Sequence, residues 1–204
     1  MPVDNMAEKE CKRTDWWTPP RIMDPVRDYF CAIGFDGIDL DPATVDSNPC
    51  KARYVYTPET DGLAQPWDIC VPRTSVWVNP PYGNLFKAFI KKVRETVEAN
   101  PSVVVLAIYP FGSRSEQQYW QRDVMCEELR AICFVRKRVG FMMPPDFSCE
   151  DKKTPAQKFD NTYASGIYLY GSALTRDDVL EFAHRFSRLG VVREMGRRWA
   201  GPEE

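Results

Sequence analysis

Histidine is almost absent from this chain of 204 residues, which contains only one, His184. One histidine cannot build a metal site by itself, and its position in a helical pattern near the C-terminus favours a place on a helix surface. The seven cysteines are odd in number, widely spaced and never separated as Cys-x-x-Cys. We therefore expect reduced cysteines that pack in the interior, and no bound metal.

Long apolar runs and an excess of positive charge are also missing. No run approaches the roughly eighteen residues that cross a bilayer, and the N-terminus is polar, so we expect a soluble, cytoplasmic protein without a membrane partner. The net charge of −2 is not typical of a protein that binds nucleic acid through bulk charge. Any phosphate contacts must therefore come from local basic clusters.

The length of 204 residues and the hydrophobic content of 44% indicate one domain with one good core. We expect a mobile N-terminal tail over residues 1–14, a single domain over 15–190 and a basic C-terminal tail over 191–204. The sequence says nothing decisive about assembly, so a monomer is the default. A Gly-x-Gly-x-x-Gly fingerprint is missing, which argues against a nucleotide-binding dehydrogenase.

Hydrophobic periodicity predicts alternating strands and helices. Thr18 is a candidate cap for the first helix, which should run to Gly34. The segments predicted as strands are 37–42, 76–78, 102–109, 131–135 and 164–170. The later segments predicted as helices are 86–97, 115–128 and 175–189. This order indicates an α/β fold of the Rossmann type, a three-layer sheet with helices on both faces.

The central feature is Asn79-Pro80-Pro81-Tyr82, which directly follows a buried apolar strand. A residue that precedes proline is held extended, so Asn79 and Pro80 display their carbonyl groups instead of entering a helix. Asn79 Oδ1 and the Pro80 carbonyl can each accept a hydrogen bond from a planar amino group. The Tyr82 ring offers a stacking surface for a base. These four residues are the candidate catalytic residues.

This motif resembles the [DNS]PP[YFW] motif of S-adenosylmethionine-dependent amino-methyltransferases. Four further segments occur in the order seen in the phage-type DNA N6-adenine methyltransferases, and the resemblance covers roughly residues 15–173. These segments are Trp16-Trp17-Thr18-Pro19, Ile38–Ala43, Asp61-Gly62-Leu63 with Trp67, and Arg138–Phe141. The resemblance implies a Rossmann-like methyltransferase fold, S-adenosylmethionine as cofactor, double-stranded DNA as partner, and a phage or prophage protein that acts in a bacterial host.

The resemblance also implies a cofactor site. Its candidate residues are Trp17, Thr18, Pro19, Asp39, Asp41, Pro42 and Asp61. Thr18 and Pro19 would help to hold the methionine end, and an aspartate at the end of the first strand would accept the ribose hydroxyls. We expect only one of Asp39 and Asp41 to face the ligand. The chain departs from many methyltransferases because it has no Gly-x-Gly after this strand.

Basic residues in two neighbouring segments are candidates for DNA phosphate contacts. They are Arg136, Lys137 and Arg138, and, within the proline-bounded loop 144–161, Lys152 and Lys153. A loop of that length in a compact domain is usually functional or disordered, and we interpret it as DNA-facing. A solvated run of charge explains the same residues on general grounds.

The sequence therefore predicts methyl transfer from S-adenosylmethionine to the N6 amino group of a flipped-out adenine in DNA. Two alternatives stay open. The first is another planar amino group as acceptor: cytosine N4, guanine N2 in RNA, or the amide of a protein glutamine. The second is a catalytically inactive DNA-binding relative. The absence of the glycine-rich loop supports this alternative.

Substitution of Tyr82 tests the proposed stacking. We expect Tyr82→Ala to weaken productive binding of DNA by about tenfold, because stacking on an aromatic contributes roughly 1–3 kcal/mol. Tyr82→Phe should be mild, since it keeps the ring. The KM for DNA in a methylation assay measures both effects, and a Phe variant as weak as the Ala variant would exclude stacking as the role.

Overall fold

The computed structural model describes residues 17–111, 116–142, 159–160 and 163–196. Within these segments the helices are α1 (Pro20–Ala32), α2 (Phe86–Ala99), a π-helical turn (Trp120–Val124) and α3 (Arg176–Phe186). The strands are β1 (Leu40–Asp41), β2 (Tyr54–Val55), β3 (Thr74–Val78), β4 (Val103–Pro110), β5 (Leu129–Val135), β6 (Gly140–Phe141), β7 (Phe159–Asp160), β8 (Ser165–Tyr170) and β9 (Gly190–Glu194).

Seven of these strands form one mixed sheet in the order β2-β1-β3-β4-β8-β5-β9. β2, β1, β3 and β4 pair in parallel, whereas β8 runs antiparallel to both β4 and β5, and β9 runs antiparallel to β5. β5 is therefore parallel to β4. As a result, the carboxyl ends of β1, β3, β4 and β5 meet at one edge of the sheet, where ligands bind in open α/β folds.

Helices cover both faces of the sheet, as the sequence predicted. Side chains of α1 and α3 share one apolar core with Val104, Leu106 and Ile108 of β4. Side chains of α2 and the π-helical turn share the opposite core with Val105 and Tyr109 of the same strand. The uninterrupted apolar run of β4 is explained by this arrangement, because a strand that is buried on both faces has no polar alternation.

The C-terminal boundary predicted from the sequence was wrong. A basic tail was expected from residue 191, but residues 190–194 form β9, which pairs with β5 along five residues. The close pairing depends on Gly190, since a side chain there would overlap the backbone of Phe134. The four exposed or half-exposed residues that follow Gly190 explain why this edge strand has a weak hydrophobic pattern.

Two further local predictions need correction. The expected helix over 115–128 is a π-helical turn of five residues, Trp120–Val124. Thr18 does not cap α1, because Pro19 occupies the cap position and no side chain supplies a capping hydrogen bond. The hydroxyl of Thr18 is used at the functional site instead.

None of the helices in the described segments has the length and apolar character needed to cross a membrane. The same residues contain no group of three or more His, Cys, Asp or Glu side chains arranged to hold a metal ion.

A buried carboxylate, Asp123, joins the π-helical turn to α2. Its side chain is 1% exposed. Arg94 Nε lies 2.9 Å from Asp123 Oδ1, and Arg122 donates from Nε and Nη2 over 2.7 and 2.8 Å. Burial raises the pKa of Asp123, but the hydrogen bonds from Arg122 and Arg94 outweigh burial and leave this pKa below its ordinary value. The ion pair between Asp123 and Arg94 therefore stabilises the packing of the π-helical turn on α2, the helix that follows the Asn79 motif.

We expect Asp123→Asn to lower the midpoint of thermal unfolding at pH 7 by about 5 °C, because Arg94 loses its buried anionic partner. Glu98→Gln is the matched control, since Glu98 pairs with the same arginine at the exposed surface and should contribute little. The effect should fade as the pH falls through the lowered pKa of Asp123. Equal midpoints for the two variants would contradict the assignment.

Candidate active site

A cavity of about 490 Å³ lies at the carboxyl edge of the sheet. The start of α1 and the segments that follow β1, β2 and β3 surround it. Its lining includes the predicted site residues Trp17, Thr18, Asp41, Pro42, Asp61, Asn79 and Pro81. The topology thus brings together residues that are up to 64 positions apart in the sequence, from Trp17 to Pro81. The volume is in the range typical of small-molecule sites.

Asp41 is the last residue of β1 and faces this cavity although it is only 4% exposed. Its Oδ1 accepts a hydrogen bond from the Ala43 backbone N–H over 3.0 Å. Its Oδ2 accepts one from the Cys50 thiol over 3.1 Å. Burial raises the pKa of Asp41 to about 6, against the hydrogen bonds that lower it. The Thr44 side chain is a further hydrogen-bond partner. Because an ionised carboxylate has about four acceptor sites, these three contacts do not exhaust its acceptor capacity.

Asp39 directly precedes β1 and turns its carboxylate toward β3. Strand alternation does not explain this difference from Asp41, because residues two positions apart on a regular strand share a face. Asp39 Oδ2 accepts hydrogen bonds from the backbone N–H and the hydroxyl of Ser75, each over 2.9 Å. Asp39 does not line the cavity. The sequence left open which of the two aspartates faces the site. In the structure Asp41 lines the cavity, whereas Asp39 joins the start of β1 to β3.

Asp61 and Gly62 hold a loop over the end of β1. Asp61 has a left-handed backbone, with φ of 51°, and its Oδ1 accepts a hydrogen bond from Leu63 N over 3.1 Å. A side chain at Gly62 would overlap the backbone of Pro42. The Gly62 carbonyl also accepts a hydrogen bond from the buried Trp67 indole over 2.8 Å. The loop is therefore fixed against the strand end, which sets the position of Asp61 at the cavity wall.

Trp17 and Thr18 close the side next to α1. The indole N–H of Trp17 is buried and has no hydrogen-bond partner among the described residues. The Thr18 hydroxyl accepts a hydrogen bond from Asn79 Nδ2 over 3.3 Å. Pro19, the third predicted residue of this segment, precedes α1 and does not line the cavity.

The Asn79 motif lies between the cavity and an aromatic cluster. Asn79 and Pro81 line the cavity, whereas Pro80 and Tyr82 do not. The half-buried Tyr82 ring packs 5.7 Å from the Phe86 ring and 6.4 Å from the Phe141 ring, measured between centroids. Burial raises the pKa of the Tyr82 hydroxyl, so the phenol stays protonated and is not a base.

Arg136, Lys137 and Arg138 are exposed directly after β5, at the same edge of the sheet as Asn79. Arg21 of α1 donates a hydrogen bond from Nη2 to the Arg138 carbonyl over 2.9 Å. Lys152 and Lys153 lie outside the described residues. So does the predicted loop 144–161, except for β7, which pairs with β6.

Several cavity residues were not predicted from the sequence. They are Met23, Ala43, Thr44, Val45, Pro49, Cys50, Tyr56, Thr57, Pro58, Gly62, Leu63, Trp77, Leu85 and Phe89. Most of them lie on loops whose contacts join distant segments, which hydrophobic periodicity does not encode. One signal was present: large apolar residues are unusually frequent between positions 47 and 68 for a free linker. It indicates that residues such as Tyr56 and Leu63 pack over a ligand or over the core.

A mixed seven-stranded sheet with helices on both faces is the architecture of the Rossmann-like methyltransferase class. The model of the DNA N-6-adenine-methyltransferase (Dam) family matches residues 6–169, and the chain belongs to this family. The resemblance seen in the sequence is thereby confirmed.

A curated relative is the DNA N-6-adenine-methyltransferase of Haemophilus phage HP1 (strain HP1c1). It is 30% identical over 104 residues, which are 50% of this chain and 55% of the relative. The chain thus spans about half the length of this relative.

Gly62→Ala tests the close contact between the Asp61 loop and β1. The added methyl group would displace the loop from Pro42, so we expect binding of S-adenosylmethionine to weaken by about tenfold or more. Gly196→Ala is the control, because nothing lies within 4 Å of a side chain at that position. Titration calorimetry measures both, and an unchanged affinity for Gly62→Ala would show that the loop does not form the binding wall.

Proposed function

We propose that this protein transfers a methyl group from S-adenosylmethionine to the N6 amino group of adenine in double-stranded DNA. The observation that carries the proposal is the position of Asn79, which borders the same cavity as Asp41 and also begins the acceptor motif. A cofactor in that cavity and a target amino group at the motif would be neighbours. Membership of the Dam family supports the substrate.

The residues of the cavity fit S-adenosylmethionine. Asp41 lines the cavity, and its carboxylate would accept from a ribose hydroxyl. The buried indole N–H of Trp17 needs an acceptor, and the carboxylate of the methionine end would supply one. Leu63, Leu85 and Phe89 give the cavity the apolar surface on which an adenine ring can lie.

Asn79 and Pro80 act on the target amino group in this mechanism. Asn79 Oδ1 and the Pro80 carbonyl accept its two hydrogens and draw the nitrogen toward tetrahedral geometry, so that the lone pair points toward the cavity. The Thr18 hydroxyl accepts a hydrogen bond from Asn79 Nδ2. This bond fixes the end of the Asn79 amide that faces Thr18 and so sets the orientation of Oδ1. Alignment of this kind contributes most of the rate.

S-adenosylmethionine supplies a methyl group on a positively charged sulfonium, so attack needs no strong base. The chain agrees with this requirement, because its one histidine lies in α3 and the Tyr82 phenol stays protonated. The nitrogen loses its proton after transfer, and water accepts it.

The target base must leave the helix before it reaches the motif, at a cost of a few kcal/mol. Tyr82 is half-buried and held by Phe86 and Phe141, so its ring can receive the flipped base as a fixed stacking surface. Arg136, Lys137 and Arg138, at the same edge, would contact phosphates next to the flipped base. From the sequence, Lys152 and Lys153 would extend this contact.

Asn79→Ala is the decisive variant. We expect methyl transfer to fall by about 100-fold or more, because the amino group loses one of its two acceptors, whereas the affinity for S-adenosylmethionine should stay within about threefold. Asn100→Ala, at the far end of α2, is the matched control. The measurement is transfer of labelled methyl to unmethylated DNA, followed by nucleoside analysis.

Label in N6-methyladenine that Asn79→Ala removes and Asn100→Ala keeps would support substrate and site together. Label in N4-methylcytosine, or transfer only to RNA or protein, would reject adenine as the target. Full activity of Asn79→Ala would reject the assigned chemistry.

A further inference from the structure

Cys50 forms part of the cavity wall and directly contacts the buried aspartate. Its side chain is 3% exposed, and its Sγ lies 3.1 Å from Asp41 Oδ2. Burial and the neighbouring Asp41 charge raise the pKa of the thiol, so the thiol is protonated at neutral pH and acts as the donor. The Ala43 N–H holds the other oxygen. With the Thr44 side chain, a third hydrogen-bond partner of Asp41, these donors fix the rotation of the carboxylate.

The backbone around Cys50 is tightly constrained. Asn48 has a φ of 47°, and its side chain donates to the Ala52 carbonyl over 2.7 Å and accepts from Ala52 N over 2.9 Å. Arg27 of α1 donates from Nη1 to the Cys50 carbonyl over 3.2 Å. The backbone of Cys50 is therefore set in place by α1 and by its own turn. The thiol lies 3.1 Å from Asp41 Oδ2 and 3.5 Å from Asn48 Oδ1, so Asp41 is the nearer acceptor.

We propose that Cys50 is a positioning residue for cofactor binding: its thiol orients the Asp41 carboxylate so that the remaining lone pairs face the cavity. This inference rests on the proposed function, in which Asp41 accepts the ribose hydroxyls. Cys50 does not touch the reacting atoms, and its effect reaches the cofactor only through Asp41.

The thiol also bears on the ionisation of Asp41. Burial raises the pKa of Asp41 to about 6, and the hydrogen bond from Cys50 is the first of the contacts that oppose this rise. Among the charged residues around it, Asp61 lines the same cavity, Arg27 bonds the Cys50 carbonyl, and Asp39 bonds Ser75 at the start of β1. Because the ionised form accepts the hydroxyls, affinity should fall as the pH drops through the pKa of Asp41.

Loss of the thiol should therefore move this pH dependence. Without the donor, the charged form is less stable and the pKa of Asp41 rises further, so affinity should begin to fall at a higher pH. A residue that only filled space would lower affinity equally at every pH.

The test is titration calorimetry of S-adenosylmethionine against the full-length protein between pH 5.5 and 8. For Cys50→Ala and Cys50→Val we expect the midpoint of the pH profile to rise by about half a unit to one unit, and the affinity at pH 7 to fall about threefold to tenfold. Cys50→Ser keeps a donor and should restore a profile close to that of the wild type.

Cys133→Ala is the matched control, because Cys133 is equally buried but its thiol lies near the Phe186 carbonyl, away from the cavity. Thermal unfolding of each variant separates loss of fold from loss of positioning, and Cys50→Val removes the donor without opening a large cavity.

An unchanged midpoint in both donor-free variants would overturn the inference while the proposed function stands. The inference would also be overturned if Cys133→Ala shifted the midpoint of the pH profile as much as Cys50→Ala does. If the wild type does not bind S-adenosylmethionine at any pH, the proposed function fails and the inference fails with it.

Discussion

The contact between Asp39 and Ser75 holds the site together. β1 has only two residues, so its backbone ladder to β3 is short. Asp39 compensates, because its carboxylate accepts from the backbone and the hydroxyl of Ser75 while its own N–H donates to the Ser75 carbonyl over 3.0 Å. These bonds fix the start of β1 beside the start of β3, and the register set there places the carboxyl ends of the two strands side by side. Asp41 and Asn79 are neighbours only because the two strands keep this register.

The sequence predicted the elements with a strong pattern and missed those without one. The apolar run of β4 and the helical spacing of α1, α2 and α3 identified the layers, and two prolines after β3 identified the acceptor motif. β2 was not predicted because it lies inside a polar loop, and β9 was not predicted because it is an exposed edge strand. The role of Cys50 was not predicted because its contact with Asp41 depends on the turn at Asn48, which hydrophobic periodicity does not reveal.

Burial of Asp41 has opposite effects on binding and on stability. A carboxyl with a pKa near 6 in the folded state and an ordinary value near 3.8 when unfolded makes the fold bind more protons than the unfolded chain between these values. Stability therefore decreases as the pH rises through the folded pKa, and the ionised carboxylate costs stability at neutral pH. The cost arises at the wall of the cavity, at the residue that we propose as the acceptor of the ribose hydroxyls.

The position of β9 sets a limit on how far the chain can be shortened. Residues 190–194 pair with β5, and β5 leads directly to Arg136, Lys137 and Arg138. Removal of the last fifteen residues would leave β5 as an unpaired edge and release the backbone just before the basic run. An unpaired edge strand invites pairing between molecules, so a truncated chain would tend to aggregate. Met195 also pairs with β5, because its N–H donates to the Arg130 carbonyl over 2.8 Å. The boundary for trimming or for fusion to another protein therefore lies after Met195.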